Sequence, residues 1–461
     1  MYKLTFQTKL TGMQHAIQTK GHTENMKTVA YHNLGCKVNS YEMDAMLQAL
    51  RQRGYQIVPF DEKADIYIVN TCTVTNIADR KSRQMLHRAK RTNPEGIVVA
   101  VGCYVQTNPN AVQADSAVDL VIGNNRKKDL VEILENYLDG VTQESVIDIS
   151  HTSEYEEMRL TSTAEHTRGY IKIQDGCNQF CTYCMIPYAR GRVRSRDKQA
   201  VLAEIRGLVE AGYKEFVLTG IHISSYGIDQ TGQKEDLLSL VQAIDMVEGV
   251  ERIRLGSLEP RIVTEVFVKG LAELKHICPH FHLSLQSGCE TVLKRMNRHY
   301  TPADYLSGVK LLRGAFAHPA ITTDVIVGFP GETEAEFEST RQFVEEAVFY
   351  EMHIFKYSRR KGTRAAVMPA QVEEAEKNRR SGVLQSIAQR ASKDFRSYYI
   401  GREVEVLFEE EKVIAGQAYW LGHTREYVKA AVSARGESLE NQLIVGTVKG
   451  FLEDDIIIME Y

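Results

Sequence analysis

In the stretch DGCNQFCTYCMIPYARGR, Cys177, Cys181 and Cys184 stand four and then three residues apart. At about 100° per residue these positions share one helical stripe, so spacing alone fits either a core helix or three ligands of one metal. The neighbours decide between the two. Gly176 precedes the first thiol, polar Asn178, Gln179 and Thr182 fill the gaps, and Pro187 follows closely, which is the make-up of a compact ligand loop.

Cys36, Cys72 and Cys103 are far apart in sequence, but each directly follows a strand-like run, in AYHNLGC, IYIVNTC and VVAVGC. Parallel strands present their carboxyl ends on one edge, so this topology brings three thiols together. A single buried cysteine behaves as a small hydrophobe. Three at equivalent loop positions point instead to metal ligation. The two sets use six of the eight cysteines and leave Cys278 and Cys289 over. Structural zinc closes its tetrahedron with four ligands, and neither set has a local fourth; His87, His222 or a distant carboxylate would have to supply it. A 4Fe-4S cluster on three thiolates keeps one iron open to a substrate or cofactor. Two such centres imply chemistry more than stiffening.

The elements that must position these thiols follow from periodicity. From 26 to 138, strand and helix signals alternate through KTVAYHN, SYEMDAMLQALRQRG, ADIYIVN, GIVVAVG and VDLVIG, which predicts an α/β, doubly wound parallel sheet. Residues 139–167 are mostly polar and read as a linker. A second alternating series over 168–398 (RGYIKIQ, EFVLTG, RIRLGS, FHLSLQ, TTDVIVGF, MHIFKYS) has six strand and helix units and predicts a partial or complete β/α barrel. From 399 to 461 the pattern turns to short strands, as in a small β barrel. Residues 1–25 lack a periodic pattern; they read as a disordered extension, with Met26 as the expected start.

The 461 residues, 43% hydrophobic and 25% charged, suffice for about three domains with proper cores. The net charge of -4 excludes a wholly basic nucleic-acid coat and leaves room for local basic patches. No apolar run approaches the roughly 18 residues of a membrane span, and the first 25 residues lack a signal peptide's apolar block, so a cytoplasmic protein without a disulfide framework is expected.

CNQFCTYC matches the C-x3-C-x2-C motif of radical S-adenosylmethionine enzymes, and GCNQFCTYCMIPYARGRVRSR resembles its form in the methylthiotransferases. NLGCKVNSYE, VNTCTVTN, GCYVQTNP, VLTGIH, LSLQSGCETVLKRMNR, DVIVGFPGETEAEF and YSRRKGTRAA are similar to that family's other signatures, so the resemblance runs from about 27 to the C-terminus. It implies a radical S-adenosylmethionine core with a C-terminal TRAM domain and two 4Fe-4S clusters. Cys177, Cys181 and Cys184 would hold the cluster whose open iron chelates S-adenosylmethionine and gives the 5'-deoxyadenosyl radical. Cys36, Cys72 and Cys103 would hold the auxiliary cluster used in sulfur and methyl-sulfur transfer. Gly220 would meet the methionine end of the cofactor, Ser257 and Glu259 the ribose, and Asp324 with Gly328 the adenosine; as plain residues Gly328 and Gly331 are also turn formers and Asp324 a strand-end residue.

Arg190, Arg192, Arg194 and Arg196 alternate, so an extended segment would project them one way to hold RNA phosphates. Arg80, Arg83, His87 and Arg91 form a stripe at helical spacing, which suits a solvated face as well as RNA. In the last domain Tyr419, Arg425, Tyr427 and Lys429 are RNA candidates, and Trp420 reads as core. Within the family, LGCKVNSYE resembles the branch that methylthiolates threonylcarbamoyl-adenosine at tRNA position 37, whereas GIHISSYG departs from the glycine-rich form typical of the tRNA branch at Ile223 to Ser225, which touches the cofactor loop more than the branch. Isopentenyl-adenosine in tRNA and a ribosomal protein are the neighbouring substrates, and an RNA-binding scaffold with two structural zinc sites is the rival of another class. The resemblance also implies tRNA as partner, an electron donor and a sulfur source of unknown identity, and a monomer.

Overall fold

The computed structural model describes residues 27–141, 143–162, 167–230 and 235–461; the proposed extension over 1–25 and the start at Met26 lie outside them. Strands β1 (Thr28–Asn33), β2 (Gln56–Val58), β3 (Ile66–Thr71), β4 (Ile97–Gly102) and β5 (Leu120–Ile122) form one parallel sheet in the order β2-β1-β3-β4-β5. Every residue of β3 is buried, as expected of a central parallel strand covered on both faces. Helix α1 (Lys37–Gln52) packs Tyr41, Met46 and Leu50 against Ile66, Ile68 and Val99. Helix α2 (Asn76–Thr92) packs Leu86 and Ala89 against Val69, Val98 and Ala100 on the other face. The sheet is therefore doubly wound.

The segment read as a linker is not a free tether. Met158 and Leu160 are buried in the α1 side of the first core, Gln48 donates to the Arg159 carbonyl, and the Leu160 amide donates to Glu204 at 2.6 Å. Its apolar residues are too few to make a period, and hydrogen bonds to neighbouring elements hold it in place.

Strands β6 (Arg168–Asp175), β8 (Glu215–Gly220) and β9 (Arg252–Leu255) are parallel, with the two-residue β7 (Arg194–Ser195) antiparallel on the β6 edge. Strands β10 (His280–His282), β11 (Ala320–Val327) and β12 (Glu351–Lys356) form a second parallel sheet. Bridges Ile253↔Ile277 and Leu258↔Leu283 join the two. The result is a six-stranded partial β/α barrel. Phe216, Leu218, Ile253, Phe281, Ile321 and Val325 face the surrounding helices, whereas the alternate residues, Lys172, Thr219, Arg254, His282 and Asp324 among them, line the concave side.

The helix Glu374–Ser397 leads to a closed barrel of β13 (Glu403–Ile414), β14 (Gln417–Thr424), β15 (Lys429–Ser433), β16 (Leu443–Glu453) and β17 (Ile456–Glu460). Trp420 is core, as expected, and its Nε1 donates to the Glu437 carbonyl at 3.1 Å. The turn after β14 caps the amino ends of the partial-barrel strands. Tyr427 stacks on His280 and His423, with the guanidinium groups of Arg168 and Arg254 over its ring at 5.1 and 4.6 Å. Arg425 donates to the carbonyls of Lys275 and Ile277. Tyr419 is buried in a satellite core. Tyr419, Arg425 and Tyr427 are thus packing and docking residues rather than an RNA-facing patch: Arg425 and Tyr427 are engaged by the partial barrel, and Tyr419 is buried within the C-terminal barrel itself. Among the described residues no helix is long and apolar enough to cross a membrane.

Candidate active site

Cys36 caps the amino end of α1, Cys72 follows β3 directly, and Cys103 opens a short helix directly after β4. The sheet edge therefore gathers all three, as the strand-end pattern predicts. Gly35, at φ +111°, lies so close that a Cβ there would sit 3.3 Å from the Cys72 Sγ. Asn70 donates to Asn33 Oδ1 and to the Asn39 carbonyl, and Asn39 donates to the carbonyls of Leu34 and Thr71, which ties the β1 and β3 loops together. Asn124 Nδ2 reaches Cys103 Sγ at 3.5 Å and the Ala189 carbonyl at 2.6 Å. Burial pushes the Cys72 thiol up to about 11, and the neighbouring Cys103 and Cys36 thiols add to the rise.

Cys177, Cys181 and Cys184 lie on the loop after β6, as the local composition predicts. Gly176, at φ +71°, is required there, because any Cβ would overlap the Arg192 carbonyl. Each sulfur meets an N–H donor: the Gln179 amide at 3.5 Å from Cys177, Arg298 Nη1 at 3.4 Å from Cys181, and the Ile186 amide at 3.4 Å from Cys184. Asn297 Nδ2 donates to the Gln179 and Phe180 carbonyls, and Thr182 Oγ1 donates to the Arg295 carbonyl. Arg298 and Asn297 end the signature LSLQSGCETVLKRMNR, but nothing in their spacing assigns them to the thiol loop. Burial pushes Cys177 to about 11 and Cys184 to about 12. Buried thiols that each receive a donor suit the anionic sulfur of a thiolate-held cluster, which binds with release of protons.

In cluster-free protein, iodoacetamide is therefore expected to label Cys177 and Cys184 far more slowly than an ordinary cysteine at pH 7. The rate should rise about tenfold per pH unit as the thiolate fraction grows. Peptide mass spectrometry checks this, and fast labelling independent of pH would contradict it.

The expected cofactor residues are distributed around this loop. Gly220 ends β8 against Ile223 and the Gln174 carbonyl. Glu259 is buried, its carboxylate accepts from Arg261 Nε at 2.7 Å, and its backbone amide donates to Ser224 Oγ at 2.9 Å. Ser257 is exposed beyond β9. His222 Nδ1 pairs with Ser225 Oγ at 2.6 Å, while Nε2 is buried with no partner. Burial lowers this histidine to about 4, so it is neutral at pH 7, and Glu259 and Arg298 are the nearest charges acting on it. Gly328, at φ +70°, is a turn glycine whose amide donates to Glu332 at 2.6 Å. Asp324 lies within β11 rather than at its end and pairs with His282 Nε2 at 3.3 Å. Its carboxylate, His282 and His353 bring their polar atoms within 4.8 Å of one another on three adjacent strands. His87 pairs with Asp115 on the outer face of α2.

The arginine row departs from expectation. Arg190, Arg194 and Arg196 are fully buried and only Arg192 is exposed. The segment is not extended: Arg190 ends the helix Ile186–Arg190, and Gly191, at φ +70°, turns the chain. Arg196 pairs with Glu157 and Glu204. Arg190 donates to Glu42 and to Asn39 Oδ1 at 2.5 and 2.6 Å, and Arg194 lies 3.6 Å from Asp175. Arg190 therefore ties the loop of Cys36 to the loop of Cys184. Across the far edge, Arg360 donates to Asp79 at 2.6 Å and to Thr73 at 2.7 Å. The first domain is thus braced against the barrel at β6 and beyond β12, and one thiol set belongs to each side of that interface.

A six-stranded partial barrel carrying this three-cysteine loop defines a radical S-adenosylmethionine enzyme, which holds an iron-sulfur cluster and S-adenosylmethionine. The model of the Radical SAM superfamily matches residues 171–344, and that of the uncharacterized protein family UPF0004 matches 28–123. A structure of the radical S-adenosylmethionine methyltransferase TsrM from Kitasatospora setae, at 16% identity and TM-score 0.57, shares the fold over 74% of this chain and 77% of that one. The threonylcarbamoyladenosine tRNA methylthiotransferase MtaB of Bacillus subtilis is 42% identical over 88% of this chain and 90% of its own. Its Thermotoga maritima counterpart is 37% identical over 94% and 99%. A tRNA-2-methylthio-N(6)-dimethylallyladenosine synthase of Pelotomaculum thermopropionicum is 34% identical over 90% and 94%. The chain belongs to the radical S-adenosylmethionine methylthiotransferase family, in its MtaB branch.

Proposed function

We propose that the protein converts threonylcarbamoyl-adenosine at tRNA position 37 to its 2-methylthio derivative at C2 of the adenine, with one 4Fe-4S cluster on each cysteine set. The observation that carries this reading is the placement of two thiol triads on opposite sides of one domain interface. When bound, the clusters and S-adenosylmethionine supply the carbon radical that removes hydrogen from an unactivated carbon, and the sulfur and methyl that replace it.

The chain's own residues bind, orient and exclude water. Arg298 places a fixed positive charge and an N–H on the Cys181 sulfur. His222 stays neutral, so its free Nε2 offers an uncharged contact to the cofactor beside Glu259. Buried Lys172, Gln174 and Arg254 fill the concave side of the barrel and keep bulk water from it.

Arg192 remains as an RNA contact. It is exposed and lies 4.6 Å over the Phe180 ring, which meets exposed Tyr188 edge-on, an aromatic and cationic surface suited to unstacked bases. The exposed Arg80, Arg83 and Arg91 on α2 offer contacts for phosphates. The electron donor and sulfur source come from outside the chain, which acts as a monomer in the cytoplasm.

Nucleoside mass spectrometry of tRNA from a deletion strain tests the substrate. Loss of 2-methylthio-threonylcarbamoyl-adenosine, restored by the wild-type gene, is the expected result. Loss of the methylthio-isopentenyl nucleoside instead would move the protein to that neighbouring reaction, and colourless protein with stoichiometric zinc would support the scaffold reading.

A further inference from the structure

The buried charges between the two cysteine sets do not balance among the described residues. Lys127, Lys172, Arg190 and Arg194 are all at most 1% exposed, and the carboxylates that meet them are Glu42 and Asp175. Burial favours the neutral form of the adjacent Glu156. An excess of positive charge away from water is costly unless an anion stands beside it. Arg190 shows where that anion belongs. Its Nη1 and Nη2 are taken by Glu42, Asp175 and Asn39, but its Nε has no partner. The carbonyl of the preceding residue, Ala189, accepts from Asn124 Nδ2, which also reaches the Cys103 Sγ at 3.5 Å, so this guanidinium belongs to the surroundings of the Cys36, Cys72 and Cys103 set. A cluster on three thiolates is anionic and would complete this set.

We infer that Arg190 is a positioning residue that acts as the fixed counter-ion of the cluster on Cys36, Cys72 and Cys103, raising its reduction potential and holding its loop in register with the Cys177 to Cys184 loop. The inference rests on the two-cluster reading. Arg190 belongs to the helix that follows Cys184, whereas Asn39 and Glu42 belong to the helix that starts at Cys36, so a single guanidinium spans both loops. A nearby positive charge favours the reduced, more negative cluster, and burial keeps salt from screening it.

The test is a redox titration by electron paramagnetic resonance on anaerobically reconstituted protein, with Cys177, Cys181 and Cys184 replaced by Ala to isolate the second cluster. Arg190→Gln should shift that cluster's potential downward, and Arg190→Lys, which keeps the charge, should restore most of the shift. In the otherwise intact enzyme, Arg190→Lys should lower methylthio product relative to 5'-deoxyadenosine, because the fork to Asn39 and Glu42 is lost. An unchanged potential in Arg190→Gln at full iron content would overturn the inference, as would a shift equally large in Arg190→Lys. If Arg190→Gln does not assemble, the Lys variant decides alone: a wild-type potential with the product ratio lowered supports the inference, and any other result overturns it. Wild-type protein holding the iron of one cluster would instead overturn the two-cluster reading itself.

Discussion

Cys181→Ala protein is expected to fold, to bind tRNA and to cleave no S-adenosylmethionine. The fold should survive because the cluster loop is anchored by other groups: Asn297 on the Gln179 and Phe180 carbonyls, and the Thr182 amide on the Met296 carbonyl. Removing one sulfur from a small loop side chain creates little cavity. It also removes the acceptor of Arg298 Nη1, leaving that charge without the thiolate it faces. With only two thiols the site no longer holds a cluster with one open iron, and 5'-deoxyadenosine formation should fall to background, a loss of at least about 10^4-fold on the scale by which active sites accelerate reactions. Cys72→Ala should behave differently. Cys72 lies on the other side of the domain interface, so cleavage of S-adenosylmethionine should persist while methylthio product disappears. Chromatography of 5'-deoxyadenosine and mass spectrometry of the tRNA nucleosides read the two outcomes together. Methylthiolation retained by both variants would sink the two-site mechanism.

What the sequence made legible was topology, and what it hid was the identity of neighbours. Alternating apolar runs are sufficient to place Cys36, Cys72 and Cys103 on one sheet edge, because a parallel sheet leaves its strand ends nowhere else to go. Gly176 and Pro187 likewise marked a loop around Cys177 to Cys184, since Gly176 permits the positive φ that opens it and Pro187 starts the short helix that closes it. The arginine row failed for the opposite reason. Period-two spacing says which residues share a face, but Glu42, Asp175, Glu157 and Glu204, which consume Arg190, Arg194 and Arg196, lie at unrelated places in the chain. Tyr427 and Arg425 failed similarly: an aromatic beside a basic residue fits RNA, and it fits equally the mouth of a barrel lined by Arg168, Arg254 and His280. The strap through Met158 and Leu160 shows a further limit. Two apolar residues carry no period, yet their burial and a few hydrogen bonds dock the segment between two domains.

The buried charges between those domains should also dominate stability. Glu42 is fully buried and accepts from Lys127 at 2.5 Å, Lys172 at 2.7 Å and Arg190 at 2.5 Å. Burial alone would raise its carboxyl, but Arg190, Lys127 and Lys172 outweigh it and hold the group well below the ordinary carboxylate range. A depressed carboxylate contributes stability that is fully present above its unfolded value, near pH 4.5, and is lost as pH falls through its folded value. At pH 7 the whole contribution is in force. Glu42→Ala leaves three buried cations facing a void, and breaking a buried pair from one side costs about 3–5 kcal/mol. On a urea slope of about 1–3 kcal/mol per M, that lowers the midpoint by at least about 1 M. The sole tryptophan, Trp420, reports on the C-terminal barrel, whose core is separate from the one packed by the helix that carries Glu42. The circular dichroism transition should therefore move to lower urea while the tryptophan fluorescence transition moves less. Coincident transitions, shifted equally, would instead mean that the three domains unfold as one unit, and an unmoved dichroism midpoint would mean that Lys127, Lys172 and Arg190 are neutralised by something other than Glu42.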